Sequence, residues 1–273
     1  MKNNIIQIGK NGFVRLVDVM PRITTTELKC DQAIVQAARV SYLEGTKSKR
    51  TDSSLIKYLL RNNHTSPFEM VEFKFHIKAP LFIVRQWQRH RMSSYNEVSG
   101  RYSVLADSFW EPEVFRQQSI VNKQGSEAPL DEPLNWTLVN EYSSHISTTY
   151  KFYEYLLSKG VSREMARTVL PLSINTEFYW KIDLHNLLRF ISLRSDLHAQ
   201  KEIRDYSNAI KEIVGECCPV TLKAFEEYVT ESIRFSKSEI IALKTCNTDI
   251  IESKSGIEEF KNKIKLFDTH GSK

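Results

Sequence analysis

Glycine is scarce in this chain, with nine among 273 residues. None falls in a G-x-G-x-x-G turn or a Walker loop, so those backbone cradles for dinucleotides and triphosphates are missing. The four cysteines, Cys30, Cys217, Cys218 and Cys246, show no paired-ligand spacing, and no His/Cys group has the spacing of a metal site. All four read as structural thiols in a reducing compartment. No serine sits in a Gly-x-Ser-x-Gly elbow and no cysteine in a basic pocket, so a covalent enzyme nucleophile is not evident. No stretch approaches the roughly 20 apolar residues of a membrane span, and residues 1–10 lack an apolar signal core. A cytoplasmic location is the expectation, with neither a metal nor a membrane as partner. The net charge of +5 is too small to argue for nucleic acid by itself.

What the chain does contain is an ordinary globular composition, 41% hydrophobic, at a length that favours one large domain. Asn11-Gly12 and the run Phe13 to Val19 read as a turn and a strand. Asp31 and Asp52 are placed to cap helices, the first running to about Ser41 with Ile34, Val35 and Ala38 inward. Val71 to Lys78 alternates apolar and polar, a half-buried strand ended by Pro80, and a helix starting near Leu81 follows it. The polar stretch Gln117 to Pro133 reads as an exposed loop. Long helices are expected over Asn135–Lys159, Leu184–Arg194 and Glu202–Val229, with a short one ending at Pro171. Beyond Thr230 the chain reads as a peripheral helix and a charged end.

The richest segment is Arg85 to Tyr102. On a continuous helix Arg85 would stand above Arg89, and Gln86 above His90. No carboxylate appears there before Glu97, so the like charges lack a local partner, and an anion suited to the planar guanidinium fork would offset them. Ser99-Gly100 adds a hydroxyl and a closely approachable backbone. An oligonucleotide surface with Trp87, Tyr95 and Tyr102 as stacking groups is the alternative; a relative that kept the site and lost the reaction is another. Ser66, Pro67 and Glu69 read as a capping box on a single helical turn. Asp183 reads as the cap of a helix with Leu184, Leu187, Leu188 and Ile191 inward and His185, Arg189 and Arg194 on other faces.

Arg89-His90-Arg91, seven residues and then Ser99, within Arg-His-Arg-x-x-Ser-Tyr-Asn-Glu-x-Ser-Gly-Arg-Tyr, resembles the signature of the flavin-dependent thymidylate synthases. The likeness extends through Ala37–Ser41, His64–Glu69, Ala166–Pro171 and Leu193–Glu202, covering roughly residues 12 to 229. Met70 stands where some members carry His. The resemblance implies an α+β fold with an antiparallel-rich central sheet flanked by helices. It implies a thymidylate synthase domain over residues 1–232, with 233–273 a peripheral tail. It also implies a homotetramer with FAD at shared active sites and no nucleic-acid partner. The implied reaction methylates dUMP to dTMP, with methylenetetrahydrofolate as carbon donor and NADPH as reductant. By position, Ser41, Ser66, Glu69, Arg89, His90, Arg91, Glu97, Asp183, His185 and Arg189 correspond to FAD contacts, and His64 to a histidine near the flavin. Gln86, Arg89, Glu97, Ser99, Gly100, Arg101, Arg167 and Arg194 correspond to dUMP contacts. Arg194 is the implied catalytic group, polarising the uracil ring.

Overall fold

The computed structural model describes residues 5–22, 30–40, 50–120, 123–251 and 253–270. These fall into two compact units, Met1–Phe225 and Glu226–Lys273. Ser41 lies outside the described residues.

The first unit begins with β1 (Ile5–Ile8) and β2 (Gly12–Met20), joined by a turn in which Gly9 takes a φ of 55°. Two helices follow, α1 (Asp31–Arg39) and α2 (Asp52–Arg61), then the single turn α3 (Ser66–Glu69). Next come β3 (Glu72–Pro80), α4 (Leu81–Trp87) and β4 (Ser94–Glu97). A hairpin of β5 (Arg116–Gln118) and β6 (Ser126–Pro129) precedes the long α5 (Leu134–Ser158) and the short α6 (Arg163–Ala166). The unit closes with β7 (Asn175–Asp183), α7 (Leu184–Arg194), α8 (Lys201–Cys217) and α9 (Pro219–Phe225).

Five strands form one antiparallel sheet in the order β1-β2-β3-β7-β4. The fold is therefore α+β, an antiparallel sheet flanked by helices. Alternation in β3 places Phe73, Phe75 and Ile77 on one face, fully buried, opposite Ile182, Trp180 and Phe178 of β7. In β2 the register shifts between Leu16 and Asp18, so Val14, Leu16 and Val19 all face the core although strict alternation would turn Val19 outward. Helices α4, α7 and α8 cover this face. Trp87 of α4 lies at its centre, 5.1 Å from Trp180 and 4.9 Å from Phe190 between ring centroids. Burial of each such ring stabilises the fold by about 3 kcal/mol. That anchor fixes the end of α4, from which the basic segment departs. The opposite sheet face is polar, with Arg15 bonded to His76 at 2.7 Å and His76 to Glu177 at 3.0 Å.

Several local expectations change. Helix α4 stops at Trp87, so Arg89 and His90 lie beyond it and do not stack over Arg85 and Gln86. The stretch read as a loop from Gln117 forms the β5–β6 hairpin, whose exposed strands have no core to impose alternation. The helix read from Glu202 to Val229 is broken at Cys218, because Pro219 cannot donate to the preceding turn. Thr51, not Asp52, caps α2 by accepting from Ser54 N, while Asp52 pairs with Arg39 at 2.6 Å. Asp31 does not cap its own helix. Its buried carboxylate accepts from the backbone N–H groups of Val220 and Thr221 at 2.8 and 3.0 Å, capping α9.

The second unit holds α10 (Lys237–Thr245) and α11 (Lys254–His270). A Ser236–Glu239 capping box opens α10, and Ala242, Ile251 and Phe260 form a small core. No described helix is long and apolar enough to cross a membrane.

Candidate active site

The basic segment leaves α4 through a tight turn whose carbonyls are held by its own hydroxyls. Ser93 Oγ donates to His90 O at 2.8 Å, and the Tyr95 hydroxyl lies 3.0 Å from His90 O and 3.2 Å from Trp87 O. These bonds satisfy carbonyls that a helix end otherwise leaves open. Burial raises the Tyr95 phenol above its ordinary value, so it remains a donor. With Trp87 fully buried and Tyr95 tied to the turn, Tyr102 is the exposed ring of the three, and the stacking platform that the oligonucleotide alternative requires is not formed.

Arg194, at the end of α7, folds back onto this turn. Its Nε donates to His90 Nε2 at 3.1 Å and its Nη2 to Gln86 O at 3.0 Å. His90 must accept at Nε2, which makes it neutral with its proton on Nδ1. Burial first, then the charges of Arg194 and Arg189, push its pKa down to about 4. Burial and the neighbouring Arg89 lower Arg194 from its ordinary value, yet a guanidinium so placed keeps its charge. Gln86, His90 and Arg194 thus converge, with Arg89 and Arg189 close by. Among the described residues none of Arg85, Arg89, Arg91, Arg167, Arg189 and Arg194 pairs with a carboxylate.

Strand β4 carries the segment onto the sheet edge, and Glu97 is clamped there. It accepts from Thr176 Oγ1 at 2.9 Å and from Gln88 Nε2 at 3.3 Å. Ser99 then opens a turn in which its carbonyl accepts from Tyr102 N and Ser103 N, both at 3.1 Å, and its Oγ from Arg101 N at 3.3 Å. Space around Gly100 is tight: a Cβ there would lie 3.1 Å from both the Arg167 and the Leu105 side chains, so either would have to give way to a larger residue. Leu105 is in turn held by α5, through Tyr150 and Tyr153. The Arg101 guanidinium reaches Glu164 at 3.4 Å, and Arg163 donates to Tyr102 O at 2.6 Å. Ser99, Gly100, Arg101 and Arg167 form this second cluster.

A third group surrounds α3 and the start of α7, which pack together. The capping box expected from Ser66 and Glu69 is absent: Thr65 precedes the turn, no side chain caps it, and both Ser66 and Glu69 are exposed. Asp183 does cap α7, accepting from Asn186 N at 2.9 Å, with His185 and Arg189 beyond it. His64 is exposed, its ring edge-on to Tyr58 at 5.7 Å. No hydrogen bond among the described residues joins these three clusters, although Arg189 lies near both the first and the third, and all their residues but Gly100 are exposed or half-buried. A cavity of about 350 Å³, lined by Lys10, Phe109, Glu111, Arg116, Glu202 and Tyr206 among others, contains none of the expected site residues.

Gln88, Thr176, Gln200 and Glu202 are the polar groups that sequence reasoning missed. Gln88 lies within the basic segment Arg85 to Tyr102, one residue before the signature, and could have been found there; Thr176, 79 positions from Glu97, left no local signal. No described His, Cys, Asp and Glu residues gather as a metal site. Burial, with Cys30 beside it, pushes the Cys218 thiol well above its ordinary value.

Residues 22–220 match the family model described as thymidylate synthase complementing protein. A flavin-dependent thymidylate synthase of Dictyostelium discoideum is 49% identical over 263 residues, covering 96% of this chain and 86% of that protein. The chain belongs to the flavin-dependent thymidylate synthase family. A member from Thermus thermophilus is 52% identical over 250 residues, covering 92% of this chain and 88% of its own. Among solved structures, a UMP/dUMP methylase, PolB of Streptomyces cacaoi bound with 5-Br dUMP, superposes with a TM-score of 0.70 at 30% identity. That match covers 82% of this chain and 98% of the methylase.

For a flavin-dependent thymidylate synthase the donor set is chemically apt. FAD carries a diphosphate and dUMP a phosphate, and the guanidiniums around His90 and that of Arg167 beside Gly100, none paired with a carboxylate among the described residues, suit such groups. Arg89, His90 and Arg91 are the residues that would hold FAD at the turn, with Glu69, Asp183, His185 and Arg189 around α3 and α7.

Proposed function

We propose that this chain converts dUMP to dTMP, taking the carbon from methylenetetrahydrofolate and reducing power from NADPH. FAD, when bound, supplies the hydride chemistry. The chain's own residues bind, orient and polarise. Arg194 carries the chemical step: two of its N–H groups are committed to His90 and Gln86 O, which fixes the guanidinium plane and leaves three N–H groups for the uracil ring. A charge fixed in this way stabilises the polarised form of the ring, with negative charge on a carbonyl oxygen and electron density on the carbon that attacks. The convergence of Arg194, His90 and Gln86 is the observation that carries this reading. Neutral His90 positions Arg194 without competing with it for the anion.

Ser99 binds and does not attack, since its Oγ accepts from Arg101 N and among the described residues no imidazole or carboxylate bonds to it. Ser99, Gly100, Arg101 and Arg167 receive the nucleotide phosphate and sugar; Gln86, Arg89 and Glu97 complete the dUMP site. Ser41, Ser66, Glu69 and Glu97 contribute to the FAD site with the basic turn, and His64 lies near the flavin. The separation of the clusters on an open surface supports a homotetramer in which one active site draws on several chains. Residues 1–232 form the enzymatic domain, working in the cytoplasm. Two spectra test the reading. The purified protein takes up FAD, and Arg194→Ala takes it up equally while losing dTMP formation by at least about 100-fold. No flavin uptake by the wild type, or unchanged turnover in the variant, contradicts it.

A further inference from the structure

Gln86 does not stand alone beside Arg194. Its Nε2 donates to Gln200 Oε1 at 2.6 Å, Gln200 Nε2 donates to Glu202 Oε2 at 2.8 Å, and Glu202 Oε1 accepts from Arg116 Nη2 at 2.7 Å. Glu202 is buried, whereas Gln200 is exposed and Gln86 half-buried. Burial pulls the Glu202 carboxyl upward, but the bonds from Arg116, the backbone and Gln200 outweigh it and hold the group below its ordinary range. An ionised carboxylate only accepts hydrogen bonds. Gln200 must therefore turn its NH₂ toward Glu202 and its carbonyl toward Gln86. Gln86 must in turn offer its NH₂ to Gln200. Among the described residues nothing donates to Gln86 Oε1, so the network leaves that oxygen as the outward acceptor.

We propose that Gln200 and Glu202 are positioning residues that set the amide orientation of Gln86, so that the nucleotide meets an acceptor selecting a hydroxyl or imide N–H donor. The inference rests on the dUMP reading of this site. An exposed amide pair has no preferred orientation of its own, because either flip makes one bond of the same kind. The buried anion removes that degeneracy. Arg116 fixes the anion, and it is itself held by Ser126 through its Nε at 2.8 Å. A donor on the ligand then gains a bond, and a ligand presenting an acceptor there is repelled.

A thermodynamic cycle on the flavin-loaded protein tests the relay, with dUMP affinity measured by calorimetry for Gln200→Leu, Glu202→Gln and the double variant. Melting temperature and bound flavin are recorded for each. Gln200→Leu and Glu202→Gln each weaken dUMP about five- to tenfold, with bound flavin unchanged, and the double variant is no weaker than Gln200→Leu alone. Additive losses, or full affinity in Gln200→Leu, overturn the relay while leaving the enzyme reading intact. A wild type that binds no dUMP overturns that reading and the relay with it. A second cycle, between Gln86→Ala and Gln200→Leu, leaves the buried carboxylate untouched and decides the matter if Glu202→Gln does not fold. There the loss from Gln200→Leu disappears once Gln86 is replaced, and its persistence overturns the relay.

Discussion

His90 is neutral because burial and two guanidiniums oppose a third positive charge in the turn. Its pKa of about 4 lies below the ordinary 6.5, so the unfolded chain takes up a proton as pH falls through 6.5 and the folded chain does not until near 4. Stability from this group is complete above pH 6.5 and is lost on acidification. The melting temperature of the ligand-free protein therefore falls between pH 7 and pH 5, and His90→Asn falls less, as calorimetry at both values will show. Equal falls in the two proteins would contradict the assignment. Residues at this scale were unevenly legible in the sequence. The Asp183 cap was readable because its partner is three positions away. The meeting of His90 with Arg194 spans 104 positions, and only the resemblance to known sequences directed attention to both.

Elements follow the apolar pattern wherever one face is buried. Strand β3 and helix α7 could be read from the sequence for that reason, since most of their apolar side chains lie on one buried face; α5 buries only Ile146, Tyr150 and Tyr153 of its apolar residues, and its length and the stop at Gly160 made it legible. The β5–β6 hairpin could not, because its strands bury almost nothing. The end of α4 at Trp87 was equally hidden: hydroxyls of Ser93 and Tyr95, later in the chain, stop the helix. Asp31 shows how a cap signal can be real and yet misplaced, for its carboxylate serves α9, about 190 positions on. Asp31→Ala strands the N–H groups of Val220 and Thr221 and the Thr221 hydroxyl in the core. The expected cost is about 2–4 kcal/mol in chemical denaturation, and a change below about 0.5 kcal/mol would remove Asp31 from that role.

At the scale of the whole molecule, a single chain displays its candidate ligand groups as an open surface in three clusters. Assembly is the economical way to enclose a nucleotide between such clusters. Light scattering is expected to give a particle of four chains. Arg194→Ala and Arg167→Ala, inactive alone, should recover activity when their subunits are exchanged, since some mixed sites then carry both arginines. A monomeric mass, or mixtures as inactive as their parents, would mean that each chain holds a complete site.

The most direct measurement is release of tritium from carbon 5 of labelled dUMP. With FAD, methylenetetrahydrofolate and NADPH all present, tritium is released in step with dTMP, and omitting FAD or NADPH abolishes turnover. Release of neither tritium nor dTMP by the fully supplied, flavin-loaded protein would contradict the assignment of this site to dUMP methylation.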